Sequence, residues 1–269
     1  MKMGKFYPNL ISNIFYDPKG NIYGFHIVFD GSVAGRYEVH KKLIEKISKY
    51  NGMIRFLKIY QYYGTSDVVM ILFLDLDDTN YNPEEIINSI KEVPYVKNAE
   101  LIKPLMKGLI MDSYSFPQTF ITERATIFRK TTYASWLKTI RERYGEGIKA
   151  IQYHLGFYTG YDAYESLKKK YNTDIMTLIK IAIEIARALG YGIFEILEFS
   201  EYRVKVRVYD NFECELFNNS NKPESFFVRG VLAGWFAGIW GLKMNEIKAE
   251  ETKCIAKGDP YCEFIIKRI

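Results

Sequence analysis

The chain has 269 residues, 48% of them hydrophobic and 26% charged, with a formal charge of +5 and three cysteines. That balance supports a folded core without disulfide staples and excludes a disordered chain. The charge is mild and no Lys/Arg block forms a stripe that could track phosphates, which argues against a nucleic-acid partner for this chain alone.

The opening M-K-M-G-K-F-Y-P-N-L-I-S-N lacks the apolar stretch and small-residue cleavage site of a secretion signal, so a cytoplasmic protein is expected. Ile22–Phe29 reads as a strand, and Leu43, Ile44 and Ile47 give 39–50 a helical stripe. Two β-rich runs, 53–63 and 68–76, flank a Gly-Thr-Ser-Asp turn and predict a hairpin. A second helix over 83–93 is capped by Asn82 with Pro83 at its first position, and 96–104 is another strand. This order, βαββαβ, is the ferredoxin-like pattern. The loop F-D-G-S-V-A-G-R-Y-E after the first strand reads as turn chemistry, with an effector contact through helix N–H groups as the sharper alternative.

Gly, Ser, Asp and Pro117 interrupt the periodicity between 107 and 118, which divides the chain into domains 1–115 and 120–269. Apolar positions from Tyr133 to Leu155 predict one amphipathic helix, with Gly145–Gly147 as its weak point. Asp174 caps a helix over 175–189 that is apolar around most of its circumference and is expected to be buried on several sides. Gly190-Tyr191-Gly192 follows that helix, so it is a helix end and not a phosphate loop. Strands follow over 193–199 and 202–209, then the polar loop N-N-S-N-K-P-E. The most apolar stretch, Phe226 to Gly241, contains Arg229 and is shorter than the ~20 residues a membrane span needs, so it is a buried helix. Two strands flanking a Gly-Asp-Pro turn close the chain.

Two features could carry chemistry. Gly230, Gly234 and Gly238 stack along one face of the apolar helix, each costing ~1 kcal/mol relative to alanine, so something must approach its backbone closely. Tight packing on a neighbouring element is one reading; the other is that this face, with Phe227 and Trp235, helps wall an apolar ligand cavity. In the closing hairpin Cys254 and Cys262 lie eight positions apart around Gly258 and face one another, about 4.5–5.5 Å between Cβ atoms. They could share a metal ion, form a disulfide, or be ordinary buried residues. Glu251 joins a metal site only if a bulge near Thr252–Lys253 turns it to the same face, and Cys214 is a possible fourth donor. The three histidines, His26, His40 and His154, are scattered, and no catalytic constellation is present, which favours a protein that is not an enzyme.

The string E-x-x-C-x-x-x-G-D-x-x-C at 251–262 follows that glycine-spaced aromatic helix. Together with R-A-T-I-F-R at 124–129, H-L-G-F-Y-T-G at 154–160 and A-L-G-Y-G-I-F-E-I at 188–196 it resembles the 4-vinyl-reductase domain family. The family includes archaeal proteins, a bacteriochlorophyll-biosynthesis protein and sensory domains that respond to aromatic compounds. The resemblance implies an α/β domain, helices packed on an antiparallel sheet as in vesicle-tethering transport-particle subunits, with an internal hydrophobic cavity. It also implies a structural zinc on Glu251, Cys254 and Cys262 with a further cysteine. In the aromatic-sensing members that cysteine stands just before the glycine-rich helix, where this chain has P-E-S-F-F; Cys214 lies upstream of that point. The first part resembles ACT-like regulatory modules, which implies dimerisation or a second ligand. The expected function is a homodimeric sensor of a small hydrophobic or aromatic ligand, bound around Phe227, Gly230, Gly234, Trp235 and Gly238. A reductase or accessory protein for a vinyl-bearing tetrapyrrole is the alternative, although no cofactor fingerprint is visible.

Overall fold

The computed structural model describes residues 11, 13–34, 37–61, 64–76, 81–217 and 219–269. Four expectations touch positions outside these: the N-terminal stretch over 1–10 and 12, the loop at 35–36, the end of the first hairpin strand at 62–63, and position 218. The chain divides into two compact units, Met1–Ile127 and Phe128–Ile269.

In chain order the first unit contains β1 (Ile14–Tyr16), β2 (Ile22–Phe29), α1 (Gly31–Ala34), α2 (Tyr37–Ser48), β3 (Met53–Gln61) and β4 (Val68–Asp75). These are followed by α3 (Pro83–Lys91), β5 (Val96–Ile102), β6 (Leu109–Met111), β7 (Thr119–Phe120) and β8 (Glu123–Arg124). The main sheet runs β3-β4-β2-β5 with every neighbouring pair antiparallel, the strand order of a ferredoxin-like βαββαβ unit. The Asn82 side chain accepts from the Glu84 N–H at 3.0 Å, and Pro83 takes the first helical position, where no N–H is needed. Val39, Leu43 and Ile47 of α2 join Ile86 and Ile90 of α3 in the core, whereas Ile44 points to solvent. The interrupted stretch after β5 is not wholly irregular: β6 pairs with β1, and β7 with β8.

The second unit begins with α4 (Lys130–Ala134), which runs through a π-helical segment (Ser135–Thr139) into α5 (Ile140–Tyr144). Gly145, at φ +68°, then breaks the chain from α6 (Glu146–Lys170) at the expected weak point. Next come α7 (Ile175–Ala188), β9 (Ile193–Phe199), β10 (Arg203–Tyr209), α8 (Phe226–Trp240), β11 (Ile247–Lys253) and β12 (Cys262–Arg268). The sheet order is β11-β12-β10-β9, all antiparallel. Period-2 alternation sends Val204, Val206, Val208, Phe264 and Ile266 into one core with Phe157 of α6, Leu178 of α7 and Phe236 of α8. The other β10 side chains, Lys205 and Arg207, pair with Glu263 at 3.2 and 3.8 Å. Asp174 caps α7 by accepting from the Thr177 N–H. That helix is less covered than its composition implies, because only Leu178 and Ile179 are buried and Ile175 and Met176 face water. No helix of the described residues is long and apolar enough to cross a membrane.

Candidate functional site

The β11–β12 register shifts between Glu251 and Lys253, where one extra residue enters β11. That bulge turns the Glu251 carboxylate toward the cysteines. Cys254 lies just past β11, Cys262 opens β12, and a 3₁₀ turn (Ile255–Lys257) with Gly258 at φ +95° joins them. Asp259 fixes this turn by accepting from the Cys254 N–H at 2.8 Å. Cys214 arrives from a 3₁₀ turn between β10 and α8, held by Asn211, whose amide donates both to Cys214 Sγ (3.5 Å) and to Ser225 Oγ (2.9 Å).

One donor atom from each of Cys214, Glu251, Cys254 and Cys262 lies within 4.8 Å of all the others. Cys214 Sγ is 3.4 Å from Cys254 Sγ and 3.7 Å from Glu251 Oε1. The three cysteines are free thiols and fully buried, and the second Glu251 oxygen accepts from the Ser225 N–H at 3.0 Å. Burial raises the Glu251 carboxyl to about 9. The hydrogen bond from the Cys214 thiol holds Cys254 well below an ordinary thiol, and the same bond drives Cys214 up. One sulfur is thus set up as a thiolate, with protons held on its neighbours, and three sulfurs with one oxygen are a donor set able to hold a soft or borderline metal ion.

Ser225 also opens α8, whose first N–H groups are capped from a distance. Glu213, fully buried, accepts from the N–H groups of Phe226 and Phe227 at 3.0 Å and of Val228 at 2.8 Å. Arg141 donates to Glu213, to Gln152 and, at 2.9 Å, to the Glu224 carbonyl, and lies between the Phe217 and Phe226 rings. Burial pushes the Glu213 carboxyl up, and Arg141 with the helix N–H groups opposes that. Sequence spacing gave no sign of this network, because its members lie far apart along the chain.

The glycine face of α8 is occupied by α6. A methyl on Gly230 would lie 2.2 Å from the Tyr153 carbonyl oxygen, and one on Gly234 1.8 Å from that of Phe157. Gly156 and Gly160 of α6 return the contact, at 2.2 Å from the Phe227 and 2.0 Å from the Val231 carbonyl oxygens. Gly238 faces the Tyr164 ring. For Gly230, Gly234 and Gly238 the cavity-wall expectation therefore gives way to close helix packing. Phe227 packs edge-on to Phe212, and Trp235, of that residue set, reaches a cavity.

That cavity, of about 170 Å³, lies between α6, α7, α8 and strands β9 and β10. Leu167, Ile183, Phe194, Val206, Trp235 and Phe236 form much of its wall, and Thr159 and Tyr191 bring hydroxyls. Burial raises the Tyr191 phenol, which stays neutral.

The second unit is thus an α+β domain with a cysteine-rich, metal-competent cluster and an apolar cavity. It is a vinyl-4-reductase domain: the model of that family matches residues 204–268. An uncharacterized protein of Methanocaldococcus jannaschii is 30% identical over 123 residues, 46% of this chain and 66% of its own length. A second from the same organism is 30% identical over 79 residues, 29% of this chain and 47% of its own. The chain therefore spans less than two thirds of the length of the curated relatives it matches. Among solved structures, the phenol-responsive sensory domain of the transcription activator PoxR, with phenol, is similar at 17% identity and TM-score 0.49, covering 55% of this chain and 79% of that one. A vinyl-4-reductase family protein from Methanocaldococcus jannaschii is similar at 15% identity and TM-score 0.35, covering 54% and 84%.

Proposed function

We propose that this chain is a small-molecule-binding sensor whose vinyl-4-reductase domain takes a small hydrophobic or aromatic ligand in the cavity between α6, α7 and α8. The supporting observation is the cavity itself: its volume of about 170 Å³ is close to the ~150 Å³ at which an apolar cavity stays dry and accepts benzene. In this reading the Cys214, Glu251, Cys254 and Cys262 cluster holds a structural zinc. Tetrahedral zinc with Zn–S bonds of ~2.3 Å puts sulfurs ~3.8 Å apart, near the 3.4 Å between Cys214 and Cys254. All four positions are filled by the chain, so the metal braces the start of α8 and leaves no open site. The domains are those expected, 1–115 and 120–269, with the first an ACT-like module that pairs two chains in a cytoplasmic homodimer.

Toluene, phenol and indole should raise the melting temperature and appear as one-to-one complexes by native mass spectrometry. Ala182→Phe, which fills the cavity from α7, should abolish both effects while the protein stays folded. Failure of all three compounds to bind the wild type, or unchanged binding to the filled variant, refutes the cavity as the ligand site.

A further inference from the structure

A second, wider concavity of about 1420 Å³ is bounded by α6, the first turn of α8 and the chain from Leu242 through β11. Its chemistry differs from that of the apolar cavity. Tyr153, Tyr158, Tyr161 and His154 of α6 present rings to it, and Arg229 enters from α8.

Arg229 stands over the Phe226 ring at 4.8 Å and the Tyr153 ring at 5.5 Å. Its Nε is buried without a hydrogen-bond partner, and among the described residues it has no carboxylate within ion-pair distance. Its neighbours around the Phe226 ring are all neutralised. Arg141, 5.0 Å from that ring, is paired with Glu213 and Glu224, and Lys149, 5.1 Å from it, reaches Glu146 at 2.8 Å. The remaining groove carboxylates are committed too: Glu250 to Lys248 at 2.5 Å, and Glu251 to the metal-competent cluster. The counterion for Arg229 must therefore come from outside the described chain. A partly desolvated cation without a partner is costly, and a guanidinium fork matches a carboxylate with two parallel hydrogen bonds. The flanking rings offer flat apolar surface for stacking.

We propose that this groove binds an aromatic carboxylate, with Arg229 holding the carboxylate and the Tyr153 and Phe226 rings flanking its planar body. The site is separate from the apolar cavity and stands whether or not that cavity binds anything.

The test uses the full chain with 2-naphthoate, its neutral isostere 2-naphthamide and inorganic phosphate, titrated calorimetrically. 2-Naphthoate should bind at one site at least tenfold tighter than the amide or phosphate. Arg229→Gln should lower that affinity at least tenfold, with melting behaviour unchanged, and Arg229→Lys should recover only part of it. Should Arg229→Gln not fold, phenylglyoxal labelling of wild-type Arg229, followed by mass spectrometry, gives the same reading: protection by 2-naphthoate and not by the amide. Equal binding of acid and amide, phosphate matching the naphthoate, unchanged affinity in Arg229→Gln, or labelling without protection each overturns the proposal.

Discussion

Gly234 of α8 meets the backbone of α6 at Phe157, where an added methyl would sit 1.8 Å from the carbonyl oxygen. No side-chain rotation relieves such a contact, so the two helices must move apart. Gly234→Ala should therefore destabilise by at least ~2 kcal/mol, overpacking strain exceeding the ~1 kcal/mol alanine gains in helix propensity. Gly147→Ala, near the start of α6, meets nothing within 4 Å and should be neutral or stabilising by up to ~1 kcal/mol. Urea unfolding of the two variants side by side checks both; equal behaviour would mean that α6 and α8 do not pack this closely.

The sulfur cluster makes a second prediction. Protein purified without a polyhistidine tag should contain one zinc per chain by elemental analysis. Cys214→Ser, Cys254→Ser and Cys262→Ser should each lose most of it and melt earlier, because metal binding adds directly to folding free energy. Cys214 is the informative position, since it approaches from outside the β11–β12 hairpin. If Cys214→Ser retained full zinc with unchanged stability, the fourth donor would lie elsewhere.

Much of this was legible in the sequence, for physical reasons that also mark where legibility ended. The Cys254–Cys262 juxtaposition follows from hairpin arithmetic, and the bulge that Glu251 required is where the register shift falls. Cys214 could only be named as a possibility, because nothing local fixes how a turn before α8 folds back. The glycine spacing of α8 signalled a close approach without naming its partner; the reciprocal Gly156 and Gly160 of α6 were not read as that partner's half. Apolar composition overstated the burial of α7, since its sequence does not reveal that Ile175 and Met176 stay uncovered in this unit. The Glu213 cap and its Arg141 partner left no trace in spacing, because capping from a distant segment obeys no helical period.

The cluster also predicts a pH dependence for metal uptake. Glu251, raised to about 9 by burial, and Cys214 and Cys262, both raised, hold protons at neutral pH, whereas Cys254 is already a thiolate. Metal binding requires all four donors deprotonated, so the metal-free state binds more protons than the metal-bound state. Affinity must then rise with pH, by about tenfold per pH unit for each proton released, until those groups ionise on their own. Calorimetric titration in buffers of different ionisation enthalpy should count about three protons released near pH 7. A flat affinity between pH 6 and 8, with no proton release, would contradict this account of the site.

The last prediction concerns Arg141 and Glu213, buried partners that tie α5 to the start of α8. Arg141→Met removes the cation but leaves Glu213 buried among helix N–H groups, so the uncompensated charge should cost about 3–5 kcal/mol. Glu213→Ala should cost at least as much, because it orphans the Phe226, Phe227 and Val228 N–H groups as well as the guanidinium. The two losses should not add, since each single change already breaks the same pair, and a double-mutant cycle by urea unfolding measures the shortfall. A readout separate from stability follows from Ser225, the residue preceding α8, whose N–H holds Glu251. Loosening the helix start by Glu213→Ala should speed zinc loss to a chelator, more than Arg141→Met does. Additive losses with unchanged chelation kinetics would show that the capping network and the metal cluster act independently.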